Sequence, residues 1–295
     1  MTEMPQWISQ WDSALQLAVA NALFALSTWV SMSVGLLSFA SVAFGAAGGF
    51  TAAHLDVNHD LPLIELLVAG ALAGAFVAVI AIVVLGRLKG HWFALTTVAL
   101  VLITRVVVLN LDSVTGGSVG MPVPRKIDWL ELLVIAVVAY WIVWRLNKSR
   151  FGLASEAIRT DLSVAECMGI NVKRMQIVAF ALSGAIAGVA GVVLAQLLQY
   201  ISPDTFYVTL AFAMIASVVL GGSYHWAGSI VGALIFTMLP QILEGALSEA
   251  SDIVNGVLLL MIMIFLPRGI LDPRRSPWRW ARRRRSRRTT EVAHD

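Results

Sequence analysis

Residues Ser149–Ala195 read SRFGLASEAIRTDLSVAECMGINVKRMQIVAFALSGAIAGVAGVVLA and join two unlike halves. The first half, to about Arg174, is a long charge-bearing stretch within an otherwise apolar chain, and the second half is an apolar helix with small residues at every fourth place. A charge at the centre of a bilayer costs about 3 kcal/mol. We therefore expect the charged half to lie in water between membrane helices, as a docking surface for a soluble partner.

The composition indicates an integral membrane protein. The 295 residues are 58% hydrophobic and 13% charged, with a mean hydropathy of +0.81, whereas soluble domains carry about 25% charged residues. The apolar runs have the length of a spanning helix, about 20 residues. The predicted fold class is all-α, a polytopic integral membrane protein with about nine membrane-spanning or re-entrant helices. The single cysteine, Cys167, excludes an internal disulfide.

The nine predicted spans follow from the apolar runs: Ala14–Met32, Val34–Ala53, Leu61–Leu85, Trp92–Leu109, Trp129–Arg145, Ile177–Tyr200, Phe206–Leu220, Gly228–Leu243 and Ile253–Leu266. The second run is rich in Gly, Ala and Ser and short of large apolar residues. It is a candidate for a broken or re-entrant helix, which is tolerated where protein or a cavity covers it.

The distribution of Lys and Arg predicts the orientation, because these residues are enriched in cytoplasmic segments. The predicted cytoplasmic segments are Arg87–His91, Leu146–Gln176, Ser223–Ala227 and the C-terminal tail. The predicted extracytoplasmic loops are His54–Asp60, Asn110–Asp128, Ser202–Thr205 and Glu244–Asp252. This divides the chain into an extracytoplasmic N-terminus (1–13), a transmembrane domain (14–271) with its cytoplasmic loop (146–176), and an Arg-rich cytoplasmic tail (272–295). We expect the tail to lie on anionic membrane lipid, and nothing else in the chain supports nucleic acid as a partner.

The cytoplasmic loop has a helical pattern. Its apolar residues recur at steps of three and four, on one predicted face: Ala154, Ile158, Leu162, Ala165 and Met168. Ser163-x-x-Glu166 is a candidate capping box, so two short helices are expected to meet near Asp161, and Gly169 suits a helix C-terminus. A solvated helix resting on the bilayer and a docking surface for a partner both fit this pattern.

Several motifs, in this order and spacing, resemble one family. They are Gly35-Leu-Leu-Ser38, Asp112-Ser-Val-Thr-Gly-Gly117, the stretch from Phe151 to Gly191, Tyr200-Ile-Ser-Pro-Asp-Thr-Phe206, Val219-Leu-Gly-Gly222, Gly228-x-x-x-Gly232-Ala233 and Phe265-Leu-Pro-Arg-Gly-Ile270. Together they span Gly35 to Leu271 and resemble the permease subunits of branched-chain amino-acid ABC importers. Where that family tends to have a glycine-rich turn after Gly221-Gly222, this chain has Ser223-Tyr224-His225-Trp226.

The resemblance implies partners and a docking loop. A second related permease subunit would pair with this chain, two cytoplasmic ABC ATPase subunits would dock on the loops, and an extracytoplasmic solute-binding protein would deliver the substrate in the inner (plasma) membrane of a bacterium. The residues that match the ATPase-docking loop are Glu156, Ala157, Ile158, Arg159, Asp161, Ala165, Gly169, Ile170 and Asn171. The chain has no G-x-x-x-x-G-K-[ST] motif, so we expect no cofactor on it and ATP with Mg in the partner ATPases.

Two sets of small residues are candidates for transport or packing. The predicted translocation path uses the second span: Ser38, Ser41, Phe44, Gly45, Gly48 and Thr51. The predicted helix-packing stripe has four-residue spacing: Ser183, Gly184, Ala187, Gly188 and Gly191. Such stripes let helix backbones approach closely in lipid. Tight packing remains an alternative for the first set, and pore lining remains one for the second.

Few ionisable groups lie at depth. Arg105 is expected to snorkel to the outer interface with Asp112 or Glu65 as its partner. The outer cluster of His54, Asp56, His59 and Asp60 is expected to be a wet acidic loop, without the ligand spacing of a metal site. No residue set supports an enzyme.

The sequence thus predicts a permease subunit of an ATP-driven ABC importer for branched-chain or related amino acids, which forms the path by alternating access. A urea or short-amide ABC permease is an alternative within the family. A stand-alone secondary transporter and a membrane scaffold that recruits a cytosolic protein are alternatives from other classes.

Overall fold

The computed structural model describes residues 6–59, 61–88 and 90–244, and this part of the chain is almost wholly helical. The predicted ninth span, Ile253–Leu266, and the Arg-rich tail lie outside the described residues. The elements in chain order are α1 (Gln6–Ser33), α2 (Ser41–His59), α3 (Leu63–Leu85), α4 (His91–Asn110), α5 (Asp112–Thr115), β1 (Met121–Pro122), α6 (Trp129–Asn147), α7 (Arg150–Thr160), α8 (Leu162–Cys167), α9 (Val172–Leu198), β2 (Tyr200–Ile201), α10 (Val208–Gly221) and α11 (Trp226–Glu244).

Helix α9 lies between α2 and α3, with glycines at both crossings. A methyl group on Gly48 of α2 would lie 2.5 Å from the Cα of Gly188, and one on Gly74 of α3 would lie 2.9 Å from the same atom. A methyl group on Gly184 would lie 2.5 Å from the carbonyl oxygen of Gly74. Side chains at these places would force the backbones apart, so the glycines determine how closely the three helices pack.

The apolar core surrounds this crossing. Leu23, Phe24 and Leu26 of α1 are fully buried and belong to one cluster with Leu194 of α9 and Met214 of α10. The best spanning windows of α1 and α9 are each 67% buried, whereas those of α4 and α6 are each 22% buried. The outer helices therefore present apolar faces of the kind that lipid covers.

The number of spans differs from the predicted nine. Within the described residues, five helices are long and apolar enough to cross a membrane: α1, α3, α4, α6 and α9. Helices α10 and α11 pass the same criterion only together, and they bend by 119° at the break between them, so they add at most a sixth span, or a re-entrant loop. The all-helical class is confirmed, and the count of nine is not.

The second predicted span is displaced along the chain. Residues 34–40 are not helical, and α2 begins at Ser41 and continues to His59. The expectation of a wet loop at His54–Asp60 is wrong for Asp56, which lies on α2 and is buried, with its Oδ2 accepting from the backbone N–H of Arg125 at 3.4 Å. The polar residues after Ala53 obscured the end of the helix in the sequence, and the segment that covers Asp56 is distant in sequence.

Contacts group the loops into two ends. At one end, β1 pairs antiparallel with β2, the indole N–H of Trp129 donates to Asp12, and Arg105 pairs with Asp204. At the other end, α7 touches the turn between α10 and α11, residues 222–225. Segments predicted to share a side of the membrane therefore lie together.

Candidate functional site

Each helix of the polar loop begins with a side-chain cap. Ser149 Oγ accepts from the N–H of Phe151 at 3.2 Å to start α7. Asp161 Oδ1 accepts from the N–H groups of Ser163 and Val164 to start α8. Asn171 Oδ1 accepts from the N–H of Arg174 at 3.1 Å to start α9. A cap is worth about 1 kcal/mol, so the three caps hold the path of the loop.

The cap of α8 corrects one expectation. Asp161, rather than Ser163, is the N-cap, so the predicted box Ser163-x-x-Glu166 does not form. The carboxylate of Asp161, two residues earlier, already satisfies the first free N–H groups. The predicted meeting of two short helices near Asp161 is seen. Gly169 ends α8 at φ +81°, and its N–H donates to Glu166 while that of Ile170 donates to Ala165, the paired bonds of a Schellman motif.

A small apolar cluster holds α7, α8 and the start of α9 together. Ile158, Ala165 and Val172, one from each helix, are buried against each other. The predicted apolar face holds for Ile158 and Ala165 but is wrong for Leu162 and Met168, which are exposed. The chain turns at Asp161, so a single helical period cannot run across both helices.

The face of α7 and α8 that points away from this cluster carries both apolar and acidic side chains. Leu153 is 70% and Met168 72% exposed, and Leu162 and Val164 are also exposed. Glu156, Asp161 and Glu166 lie exposed among them. Exposed apolar side chains on a capped helix pair are typical of a surface that another protein covers. We call Leu153, Glu156, Leu162, Val164 and Met168 the loop face.

The nine predicted docking residues divide by burial. Exposed are Glu156, Asp161, Gly169 and Asn171; partly buried are Ala157, Arg159 and Ile170; buried are Ile158 and Ala165. Arg159 turns inward, away from the loop face: its Nη1 donates to the Ser223 carbonyl at 2.7 Å and its Nη2 contacts Ser223 Oγ at 3.0 Å. Burial lowers the pKa of the Arg159 guanidinium, and Tyr224 and Glu156 act against that shift.

The predicted path residues lie at helix contacts. Ser41 Oγ and Thr28 Oγ1 are 2.9 Å apart, and Ser38 Oγ accepts from the N–H of Ala40 at 3.1 Å. The ring of Phe44 meets Phe180 edge to face at 6.0 Å. Gly45 and Gly48 face the backbone of α9, and Thr51 Oγ1 donates to the Ala47 carbonyl at 2.7 Å. Five of the six are buried, and Thr51 is partly buried, so in this conformation the set contributes packing and their place on the path stays a prediction.

The small-residue stripe of α9 faces three helices. Ser183 Oγ lies 2.9 Å from Ser27 Oγ of α1. Gly184 and Gly188 face α3 through Gly70 and Gly74, and Gly191 faces the backbone of Gly45 on α2. Ala187 is buried beside Gly45, and its carbonyl would lie 3.2 Å from a methyl group there. The stripe thus lies where backbones cross.

Comparison with known proteins shows the family of the chain. A family model described as the permease component of a branched-chain amino acid transport system matches residues 11–266. The chain belongs to this permease family.

Individual relatives are 28–32% identical to this permease over the aligned residues. It is 28% identical to the high-affinity branched-chain amino acid transport system permease protein LivM of Escherichia coli K12, over 80% of this chain and 64% of LivM. It is 28% identical to the autoinducer 2 import system permease protein LsrC of Escherichia coli O157:H7, over 84% of this chain and 74% of LsrC. It is 32% identical to the permease protein LivH of Salmonella typhimurium LT2 over 52% of this chain and 49% of LivH. The match thus spans less than two thirds of LivM, and no solved structure matches.

Two polar features of the permease escaped the sequence reading. Arg105 pairs with Asp204 at 2.7 Å, instead of Asp112 or Glu65, because the loop after β2 folds over α4. Gln196 of α9 is 1% exposed, and neither its Oε1 nor its Nε2 has a partner among the described residues. A buried amide without partners costs about 1–3 kcal/mol. Gln196 is the one polar residue in GVVLAQLL, which was the available signal.

Proposed function

We propose that this permease is the membrane subunit of an ATP-driven ABC importer for branched-chain or related amino acids. The loop face carries the proposal: a capped pair of helices outside the apolar belt exposes Leu153 and Met168 beside carboxylates. Residues 1–295 hold no G-x-x-x-x-G-K-[ST] motif, so in this proposal the ATP is hydrolysed by a separate subunit that binds the loop face.

In the proposed assembly, two cytoplasmic ATPases hold ATP and Mg and bind the loop face of this chain and of a second, related permease. The likeness to both LivM and LivH supports such a pair. An extracytoplasmic solute-binding protein delivers the substrate to the end at which β1 and β2 lie. ATP-dependent closure of the ATPases moves α7 and α8, and the helices attached to them open the path on one side and close it on the other, which requires that nucleotide favour one of the two states.

The substrate class is proposed from the family description and from the name of LivM. LsrC is equally identical to this chain and is named for another solute, autoinducer 2, so the experiment includes that solute. Cells that express the whole set of subunits should accumulate labelled leucine. Unlabelled isoleucine and valine in hundredfold excess should reduce that uptake at least tenfold, and urea or autoinducer 2 should not. Competition by urea or autoinducer 2 alone would overturn the substrate class.

The orientation is tested at Cys167, the single cysteine of the chain, which is exposed on α8. A maleimide that cannot cross membranes should label Cys167 in inside-out vesicles and not in right-side-out vesicles or intact spheroplasts. Cys167→Ser is the control for background labelling. Labelling from the outside of intact spheroplasts would contradict a cytoplasmic loop, and with it the orientation that the Lys and Arg distribution predicts.

A further inference from the structure

The turn between α10 and α11, residues 222–225, is bound to α7 by one side chain. Arg159 Nη1 donates to the Ser223 carbonyl oxygen at 2.7 Å, and its Nη2 contacts Ser223 Oγ at 3.0 Å. The guanidinium carbon lies 4.3 Å from the centre of the Tyr224 ring. We call these three residues the Arg159 link.

The same carbonyl connects a third helix. The indole N–H of Trp29 on α1 donates to the Ser223 oxygen at 3.0 Å. A hydrogen bond from a charged donor is stronger than one from a neutral donor, and a cation is attracted to the face of an aromatic ring. Helices α1 and α7 therefore meet the turn at one carbonyl oxygen, so a movement of α7 changes the contacts of the turn with both helices.

The start of α7 and the end of α10 are both held by local structure. Helix α7 begins at a capped residue, and its Gly152 packs on the backbone of α6, where a methyl group would lie 2.8 Å from the Asn147 Cα. Helix α10 ends at Gly222, whose φ of +106° favours glycine, before the 119° bend into α11. Helix α7 therefore contacts α10 and α11 at the bend between them.

The opposite end of α10 is also held by an arginine. Arg105 lies 4.9 Å above the ring of Tyr207, the N-cap of α10, and pairs with Asp204. A displacement of the turn would therefore rotate α10 about an anchored end instead of sliding it.

We propose that Arg159 is the positioning residue that passes the movement of α7 to α10 and α11, and that it does not itself bind the ATPase. This inference rests on the proposed function and assigns separate tasks to two neighbours on α7. Glu156 is exposed on the loop face and meets the partner. Arg159 points to the turn and couples the movement of α7 to that of α10 and α11.

The test compares Arg159→Ala with Arg150→Ala, which removes an exposed arginine from the first turn of the same helix. The full complex is reconstituted in proteoliposomes, and three quantities are measured: ATPase bound per permease, ATP hydrolysed, and solute moved per ATP. Arg159→Ala should retain bound ATPase and hydrolysis within about twofold while solute moved per ATP falls at least fivefold. Arg150→Ala should leave all three unchanged.

Two further variants separate coupling from folding damage. Arg159→Lys keeps the charge but offers a point donor in place of a planar fork, so it should recover part of the coupling. Arg159→Ala combined with Tyr224→Ala should be no worse than Arg159→Ala alone, because both remove the same link. Loss of bound ATPase in proportion to uptake, or multiplied effects in the double variant, would overturn the proposal.

A distance measurement tests the link without any transport. Nitroxides at Leu153 and His225, in a Cys167→Ser background, report α7 against the turn in nanodiscs that hold the permease alone; both positions are exposed. One narrow distance is expected with Arg159 and a broadened distribution with Arg159→Ala. An unchanged distribution would refute the link. A narrow distance in a chain whose assembled complex moves no amino acid would refute the proposed function and leave the link standing.

Discussion

Gly188 lies where the backbones of α2, α3 and α9 meet. A methyl group on it would lie 2.8 Å from the carbonyl carbon of Gly70 and 3.3 Å from the Cα of Ala71, which are backbone atoms that cannot rotate away. Overpacking of this kind costs about 1–3 kcal/mol. We therefore expect a single added carbon atom at residue 188 to destabilise the fold.

Gly188→Ala should lower the unfolding free energy of the purified permease by about 1–3 kcal/mol, because α3 must move away from α9. The measurement is the thermal or denaturant midpoint in detergent. Val178→Leu adds one carbon to an exposed position of the same helix and should leave the midpoint unchanged. Equal midpoints for Gly188→Ala and wild type would show that α9 is not clamped at Gly188.

Single residues also show where sequence reasoning reaches its limit. The small residues at four-residue spacing in α3 and α9 were visible in the sequence, but their spacing alone does not say which stripe meets which. The cap of α8 was assigned to Ser163 because that residue starts a box pattern, whereas the carboxylate of Asp161 takes the same N–H groups. The Asp204 partner of Arg105 is 99 residues away in the chain and had no local signal.

At the scale of elements, the loop face is where function can be separated from folding. Leu153 and Met168 are exposed on α7 and α8, outside the buried cluster of Ile158, Ala165 and Val172. A buried apolar side chain contributes about 1.5–3 kcal/mol to an interface. Changing either residue should therefore weaken binding of the partner and spare the fold.

Met168→Asp and Leu153→Asp should each weaken ATPase binding about tenfold or more, since about 1.4 kcal/mol corresponds to a factor of ten. Binding is measured by titration of the ATPase onto immobilised permease in nanodiscs, and the thermal midpoint should not change. Val119→Asp, at an exposed site near the β1–β2 end, is the control and should bind as wild type. Wild-type affinity in both loop-face variants would exclude α7 and α8 as the docking surface.

The helix boundaries were predicted well where the apolar run was long and strongly hydrophobic. They were predicted poorly where residues distant in sequence bury the helix. Helices α3, α4 and α6 lie within two residues of their predicted spans. Helix α2 does not, because Gly and Ala carry little apolar signal and because Asp56, near its polar end, is buried by the segment before α6. The bend between α10 and α11 depends on crossing glycines whose contacts the sequence does not reveal.

At the scale of the molecule, a buried three-helix crossing is surrounded by lipid-facing helices, with a capped polar surface at one end. Helix α9 links the two, because it begins in the loop at Val172 and its stripe lies at the crossing. A force on the loop therefore has a continuous helical route into the membrane region. In the function proposed above, a separate ATPase that binds the loop face is the source of that force.

The most direct measurement is solute accumulation in proteoliposomes that contain the permease pair, with or without the ATPase subunits, the binding protein and ATP. The account predicts accumulation of leucine against its gradient only when all components and hydrolysable ATP are present. Accumulation at full rate by this permease without ATPase subunits, driven by an ion gradient, would contradict it.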